Sequence, residues 1–150
     1  MVIFVRNEIS CGALVYCIEN QDIKFLLLQY SQGHWDFPKG NKEKGETYLE
    51  TTRREIKEET GICDIVFIDR FEKEISYKYG RQNEKISKKV IYFLAKTKDT
   101  NVVLSSEHTY FVWESYENAL KRLTYKNAKE ILIQGYSFLK IYKSYPLKIR

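Results

Sequence analysis

Gly40-Asn-Lys-Glu-Lys-Gly-Glu-Thr-Tyr-Leu-Glu-Thr-Thr-Arg-Arg-Glu-Ile-Lys-Glu-Glu-Thr-Gly-Ile62 is the stretch from which the rest of this chain is read. A loop rich in glycine and lysine runs into a helix whose two ends are both written in the sequence. Thr47 with Glu50 three residues on has the form of a capping box, and Gly61 suits the position just past the helix end. Residues three and four apart share a helix face, so Glu55, Glu58 and Glu59 converge on one patch. Like charges at that spacing weaken a helix by roughly 0.2–0.5 kcal/mol per pair, so the patch invites a cation. Leu49, Ile56 and Thr60 fall on another side and anchor the helix to a core, which leaves the carboxylates free to stay exposed.

Strand signals flank this helix on both sides. Residues 9–18 are apolar and β-prone, Asn20-Gln-Asp22 marks a turn, and residues 23–30 read as the hairpin partner. The three leucines Leu26, Leu27 and Leu28 point to a strand buried on both faces. Residues 31–40 break regular structure, with Gly33, Pro38 and Gly40 as punctuation. After the helix, residues 62–68, 71–79 and 88–96 read as strands, with Gly80-Arg-Gln-Asn-Glu-Lys85 as a hairpin loop between the last two. A loop over 104–109 leads to a short strand at 110–113. Ser115 can cap a helix to about Leu123, and a longer helix over 125–142 aligns Ala128, Ile131, Leu132, Gly135, Phe138, Leu139 and Tyr142 on one face. The fold class expected is α/β (α+β), a mixed β-sheet sandwiched between helices. No repeat or linker interrupts the chain, so residues 1–150 are expected to form a single domain.

Composition narrows the function classes. Apolar residues at 43% and charged residues at 30% describe a globular protein. The chain has no apolar run long enough for a membrane span, and its first residues lack a signal-peptide pattern. Cys11, Cys17 and Cys63 have no metal-type spacing and read as reduced thiols, so the expected location is cytoplasmic. The net charge of +5 permits an anionic ligand. No Lys/Arg stripe with interleaved aromatics is present, so DNA is not an expected partner. Twelve tyrosines offer platforms on which a nucleobase can stack.

From Gly40 the pattern runs through five residues to Glu46, seven more to Arg54-Glu55-Ile56, one to Glu58-Glu59 and one to Gly61-Ile62. This fills every specified position of the Nudix box, and the chain is identified as a member of the hydrolases that cleave a nucleoside diphosphate linked to another moiety. The chemistry is intelligible in its own terms. Hard divalent cations take carboxylate, carbonyl and water oxygens, and phosphoryl chemistry depends mainly on positioning and charge stabilisation. Arg54, four residues before Glu58, can orient a carboxylate through a charge-assisted pair.

Residues from about 10 to 139 resemble, more narrowly, the asymmetrical diadenosine tetraphosphate (Ap4A) hydrolases of the animal and archaeal kind. The carriers are Phe25-Leu-Leu-Leu-Gln-Tyr30, His34-Trp-Asp-Phe-Pro-Lys-Gly40, Glu74-Ile-Ser-Tyr77, Lys88-Lys-Val-Ile-Tyr-Phe-Leu-Ala95 and Ser106-Glu-His108. The resemblance implies hydrolysis of Ap4A to ATP and AMP with Mg²⁺ (or Mn²⁺). It implies a metal set of Gly40, Glu55, Glu58, Glu59 and Glu107, with Arg54 joining the four glutamates in catalysis. It also implies substrate contacts from Tyr30, His34, Lys39 and Lys88, and an adenine held between Tyr77 and Tyr125. Strand alternation lets only one of Lys88 and Lys89 face the cleft, and register with Tyr92 selects Lys88. A monomer is expected. The rival readings are an RNA 5′-pyrophosphohydrolase or decapping enzyme with the same box, and a nucleotide-binding module without turnover.

Overall fold

The computed structural model describes residues 4–144. Strands β1 (Phe4–Glu19) and β2 (Asp22–Tyr30) form a hairpin. Its two-residue turn places Asn20 and Gln21 at φ of 51° and 71°, the left-handed twist that tight hairpins need. Two short strands follow, β3 (Trp35–Asp36) and β4 (Lys39–Asn41), then helix α1 (Tyr48–Thr60). The long strands β5 (Ile65–Arg81) and β6 (Glu84–Thr97) form a second hairpin. Strand β7 (His108–Glu114) and helices α2 (Tyr116–Arg122) and α3 (Lys126–Ser144) complete the described chain.

The seven strands of the described residues form one mixed sheet of order β3-β2-β1-β6-β5, with β4 added on β1 and β7 on β2. Among the described residues only β1 and β6 run parallel. Each face carries its own core. Cys11, Ala13 and Val15 of β1 join Ile56 of α1, while Leu14 and Tyr16 join Ile131, Leu132 and Leu139 of α3. Leu26, Leu27 and Leu28 are all fully buried, their alternation sending them to opposite faces. The expected α+β sandwich is the one found. Among the described residues no helix is long and apolar enough to cross a membrane.

Three strand boundaries differ from the sequence reading. First, β1 begins at Phe4 rather than near residue 9, because parallel pairing with β6 continues out to Phe4↔Glu84. Second, the expected loop over 80–85 contracts to Gln82 and Asn83, with Gln82 at φ 56°. Third, the two strands expected at 62–68 and 71–79 are one strand broken by a bulge. Pairing passes from Phe67↔Ala95 directly to Glu72↔Phe93, and Arg70 adopts φ 68°. The extra residues reset the alternation, so that Ile68 before the bulge and Phe71 and Ile75 after it all pack on the α3 face. Tyr77 inherits that face.

The feature that shapes the site is a parting of β1 from β2. Their pairing runs from Glu19↔Asp22 only to Tyr16↔Phe25. Beyond it, β3 pairs with β2 at Leu28 and Gln29, and β4 pairs with β1 at Ser10, Cys11 and Gly12. The chain from His34 to Asn41 is thereby inserted into the opening. Gly12 permits this approach, since a Cβ there would overlap the Pro38 carbonyl oxygen and the Lys39 Cβ. Gly12→Ala would press on the Pro38–Lys39 backbone, which must shift to admit it. It is expected to cost about 1–3 kcal/mol in denaturant unfolding; a midpoint equal to wild type would mean the insertion is looser than described.

Candidate active site

Helix α1 has the caps its sequence specifies. Thr47 Oγ1 accepts from the Glu50 amide at 3.1 Å, the Glu50 carboxylate accepts from the Thr47 amide at 2.8 Å, and Gly61 closes the other end in the left-handed conformation. Ile56 and Thr60 are fully buried against the sheet, with Leu49 half-buried beside them. The three carboxylates do not form a uniformly exposed patch, contrary to the sequence reading. Their side-chain exposures are 57% for Glu58, 14% for Glu55 and 5% for Glu59. The physical reason is the inserted segment, which covers the side of α1 nearest the sheet opening.

Glu55 lies directly on β4. A Cβ on Gly40 would overlap its carboxylate, so glycine is what lets the backbone meet this group. Burial raises the Glu55 pKa against the opposing pull of Arg54. Arg54 organises the acidic cluster more broadly than the expected pairing with Glu58 suggests. Its fork grips Glu46 twice (Nε to Oε2 2.7 Å, Nη2 to Oε1 3.0 Å), while Nη1 donates to Glu55 at 2.7 Å and to Glu58 at 3.2 Å. Nη2 also donates to the Asn41 carbonyl at 2.9 Å. Glu46 accepts further from the Glu43 amide and Thr51 Oγ1. The Arg54 hydrogen bonds hold its carboxyl down at about 2.

Glu59 is the buried member. Its Oε1 lies 3.5 Å from the Tyr30 hydroxyl and 3.2 Å from His108 Nε2, while its Oε2 has no hydrogen-bond partner among the described residues. The His108 contact is close but off the line of a good hydrogen bond, and Nε2 is likewise unpartnered there. Burial pushes the Glu59 carboxyl up to about 7, although His108 and the Lys39 amide act the other way. His108 is fixed through Nδ1, 2.9 Å from Ser105 Oγ. Sequence reading made no site residue of it. Its one signal was its place beside Glu107.

Tyr30, expected as a substrate contact, lies between two imidazoles. His34 stacks on it at 4.6 Å and 8°, and His108 meets it edge-on at 4.4 Å. Its hydroxyl donates to the Phe37 carbonyl at 3.0 Å. One ring face is thus taken by His34, and Tyr30 also lines the carboxylate cavity. That cavity, about 490 Å³, is lined by Glu55, Glu58, Glu59, Arg54, Gly40 and Asn41, together with Glu107 from the loop before β7. Glu107 is exposed and its carbonyl accepts from the Ser31 amide at 3.0 Å. Among the described residues no three acidic, histidine or cysteine groups stand ready at metal-binding spacing. Arg54 instead occupies the space between Glu55 and Glu58.

A second cavity, about 560 Å³, opens on the α3 face. His34, Lys39, Tyr77, Tyr92 and Tyr125 line it. Tyr77 and Tyr125 are exposed, and Tyr125 is 5.4 Å from His34. The structure therefore gathers both expected stacking tyrosines at one cavity. Lys39 borders both cavities, its Nζ 3.0 Å from the buried Asp36. Lys88 lies on the face of Val90 and Tyr92, as register predicts, and Lys89 on the other face pairs with Glu74 at 3.6 Å. Lys88 lines neither cavity. It stands between them, opposite Tyr77 on β5, with Nζ donating to Asn41 Oδ1 at 3.0 Å and lying 3.8 Å from Glu8.

The family model of the NUDIX domain matches residues 11–134. The asymmetrical bis(5′-nucleosyl)-tetraphosphatase of Mus musculus is 40% identical over 142 residues, covering 87% of this chain and 94% of the mouse protein. The crystal structure of a binary complex of C. elegans Ap4A hydrolase superposes with a TM-score of 0.80 at 30% identity, covering 89% of this chain and 98% of that one. A Helicobacter pylori RNA pyrophosphohydrolase is 34% identical over 83 residues, about half of each chain (52% and 54%).

The buried Glu59 makes a pH prediction for metal-free protein. Its folded pKa lies above the unfolded value, so ionisation opposes folding. The penalty is absent below pH 4.5 and complete above about pH 7. In EDTA, Glu59→Gln is expected to gain stability over wild type as pH rises from 5 to 8, by about 3 kcal/mol. Denaturant unfolding across that range tests this; a difference that stays flat with pH contradicts it.

Proposed function

The chain belongs to the NUDIX family, and on that premise we propose that it hydrolyses dinucleoside polyphosphates, taking Ap4A and water to ATP and AMP. The observation that carries this reading is the placing of two cavities about one three-residue strand, β4. Carboxylates gather on one, tyrosines on the other, and Lys39 borders both. A substrate with a base at one end and a phosphate chain leading away matches that layout. The tetraphosphatase relatives support the reading along nearly their whole length, whereas the RNA pyrophosphohydrolase match stops at about half.

The donor set fits a hard divalent cation, Mg²⁺ (or Mn²⁺), because it consists of carboxylate and carbonyl oxygens and leaves Glu59 Oε2 buried and unpartnered among the described residues. Glu55, Glu58, Glu59, the Gly40 carbonyl and Glu107 would hold the ion. When bound, it supplies positive charge to the polyphosphate and lowers the pKa of coordinated water.

The chain's own residues divide the remaining work. Arg54 holds Glu55 and Glu58 in place, while Tyr30 and His108 pack against Glu59. Glu107, on its exposed loop, takes the proton from the attacking water as the phosphoanhydride bond breaks. His34, Lys39 and Lys88 face the phosphates, and Tyr77 and Tyr125 clasp an adenine. The protein acts as a single domain and a monomer, and its free thiols suit the cytoplasm.

Incubation with Ap4A and Mg²⁺, followed by chromatography, is expected to yield ATP and AMP in equal amounts. Phosphate release from 5′-triphosphorylated RNA with Ap4A left intact would favour the RNA reading, and binding without products a non-catalytic module. Glu59→Gln is expected to lower kcat by at least about a hundredfold. Tyr77→Ala should raise KM for Ap4A about tenfold with kcat nearly unchanged, from the loss of one stacking face; an unaltered KM would leave Tyr77 a surface residue.

A further inference from the structure

Asn41 sits on β4 where the two cavities adjoin, and its hydrogen bonds fix which way its amide points. Oδ1 accepts from Ser10 Oγ at 2.8 Å and from Lys88 Nζ at 3.0 Å. An ammonium group can only donate, so the atom facing Lys88 must be the oxygen, and a flipped amide would set N–H against N–H. The Nδ2 group therefore carries two donors that have no partner among the described residues. Asn41 is exposed and borders the carboxylate cavity.

The residue is also held rigidly. Its backbone is paired in register with Ser10 of β1, and its carbonyl accepts from Arg54 Nη2 at 2.9 Å. A donor whose backbone and side-chain oxygen are both fixed loses little freedom on binding an anion. Lys88 is bonded to the same side chain and Lys39 lies two residues away along the strand. Two free N–H groups beside two ammonium groups, at the entrance to a carboxylate-lined cavity, are the chemistry of a phosphate contact.

We propose that Asn41 binds the polyphosphate, donating from Nδ2 to a non-bridging phosphate oxygen while its Oδ1 holds Lys88 beside the same chain. The proposal rests on the polyphosphate-hydrolase reading above and adds a binding residue to it.

Two substitutions separate phosphate binding from a purely structural tether. Asn41→Asp keeps an oxygen for Ser10 and Lys88 but replaces the free N–H groups with negative charge. Asn41→Ala removes tether and donor together. The measurement is calorimetric binding of ATP, and separately of adenosine, at fixed Mg²⁺. Kd for ATP is expected to rise about tenfold in Asn41→Ala and further in Asn41→Asp, with adenosine affinity unchanged in both. KM for Ap4A should follow the same order. A tether alone predicts the reverse order, with Asn41→Asp close to wild type. The proposal is overturned if Asn41→Asp binds ATP as tightly as wild type or tighter, or if adenosine affinity falls in parallel. Should Asn41→Asp not fold, Asn41→Ala made in a Lys88→Ala background decides: with no ammonium left for Oδ1 to hold, its ATP Kd must still rise while its adenosine Kd does not, and an unchanged ATP Kd overturns the proposal. Binding of ATP needs no turnover, so a wild-type protein inert toward Ap4A would count against the hydrolase reading and leave this comparison intact.

Discussion

The hydrogen bonds between β1 and β2 end at Tyr16 and Phe25, and the candidate site is built in the opening they leave. A sheet that parts must satisfy the backbone groups it exposes. Here β3 does so along β2 and β4 along β1, carrying the segment from His34 to Asn41 into the middle of the fold. Two glycines make the fit possible from opposite sides, Gly12 against the incoming loop and Gly40 against the Glu55 carboxylate. Because β4 lies within the sheet, its alternation sends Lys39 and Asn41 toward the α3 face and leaves the Gly40 backbone to α1. One strand of three residues thus joins a carboxylate cavity to an aromatic one.

The electrostatics of α1 follow from that insertion. Three acidic side chains on and before the helix are held by one guanidinium, whose planar fork reaches Glu46 bidentately and still touches Glu55 and Glu58. The arrangement leaves Glu59 outside Arg54's reach, buried, and raised toward neutral pH. Its orphaned oxygen and raised pKa represent stability given up in the metal-free protein, a pattern common where a site is prepared for a ligand of opposite charge. His108 and Tyr30 lie against this carboxylate.

What the sequence made legible was local. The capping box at Thr47, the stop at Gly61 and the i, i+3, i+4 spacing of the glutamates are properties of a helix and its neighbours, and all are found. The alternation that selected Lys88 over Lys89 is likewise a property of one strand. What stayed hidden depends on contacts distant along the chain. The bulge around Arg70 is invisible to periodicity, yet it determines that Tyr77 shares a face with Val90 and Tyr92. The burial of Glu59 requires the inserted loop and β7, and the orientation of the Asn41 amide requires Lys88, 47 residues away. The contact between Tyr30 and His108 likewise joins residues far apart along the chain.

The central claim is that a substrate spans β4, with its base on the α3 side and its phosphates reaching the carboxylates of α1. A crystal structure with a non-hydrolysable Ap4A analogue and Mg²⁺ tests this most directly. The expected result is an adenine between Tyr77 and Tyr125, a phosphate chain passing over Lys39, Gly40 and Asn41, and metal among Glu55, Glu58 and Glu59. An analogue lying wholly on one side of β4, or a base stacked away from Tyr77 and Tyr125, would contradict it.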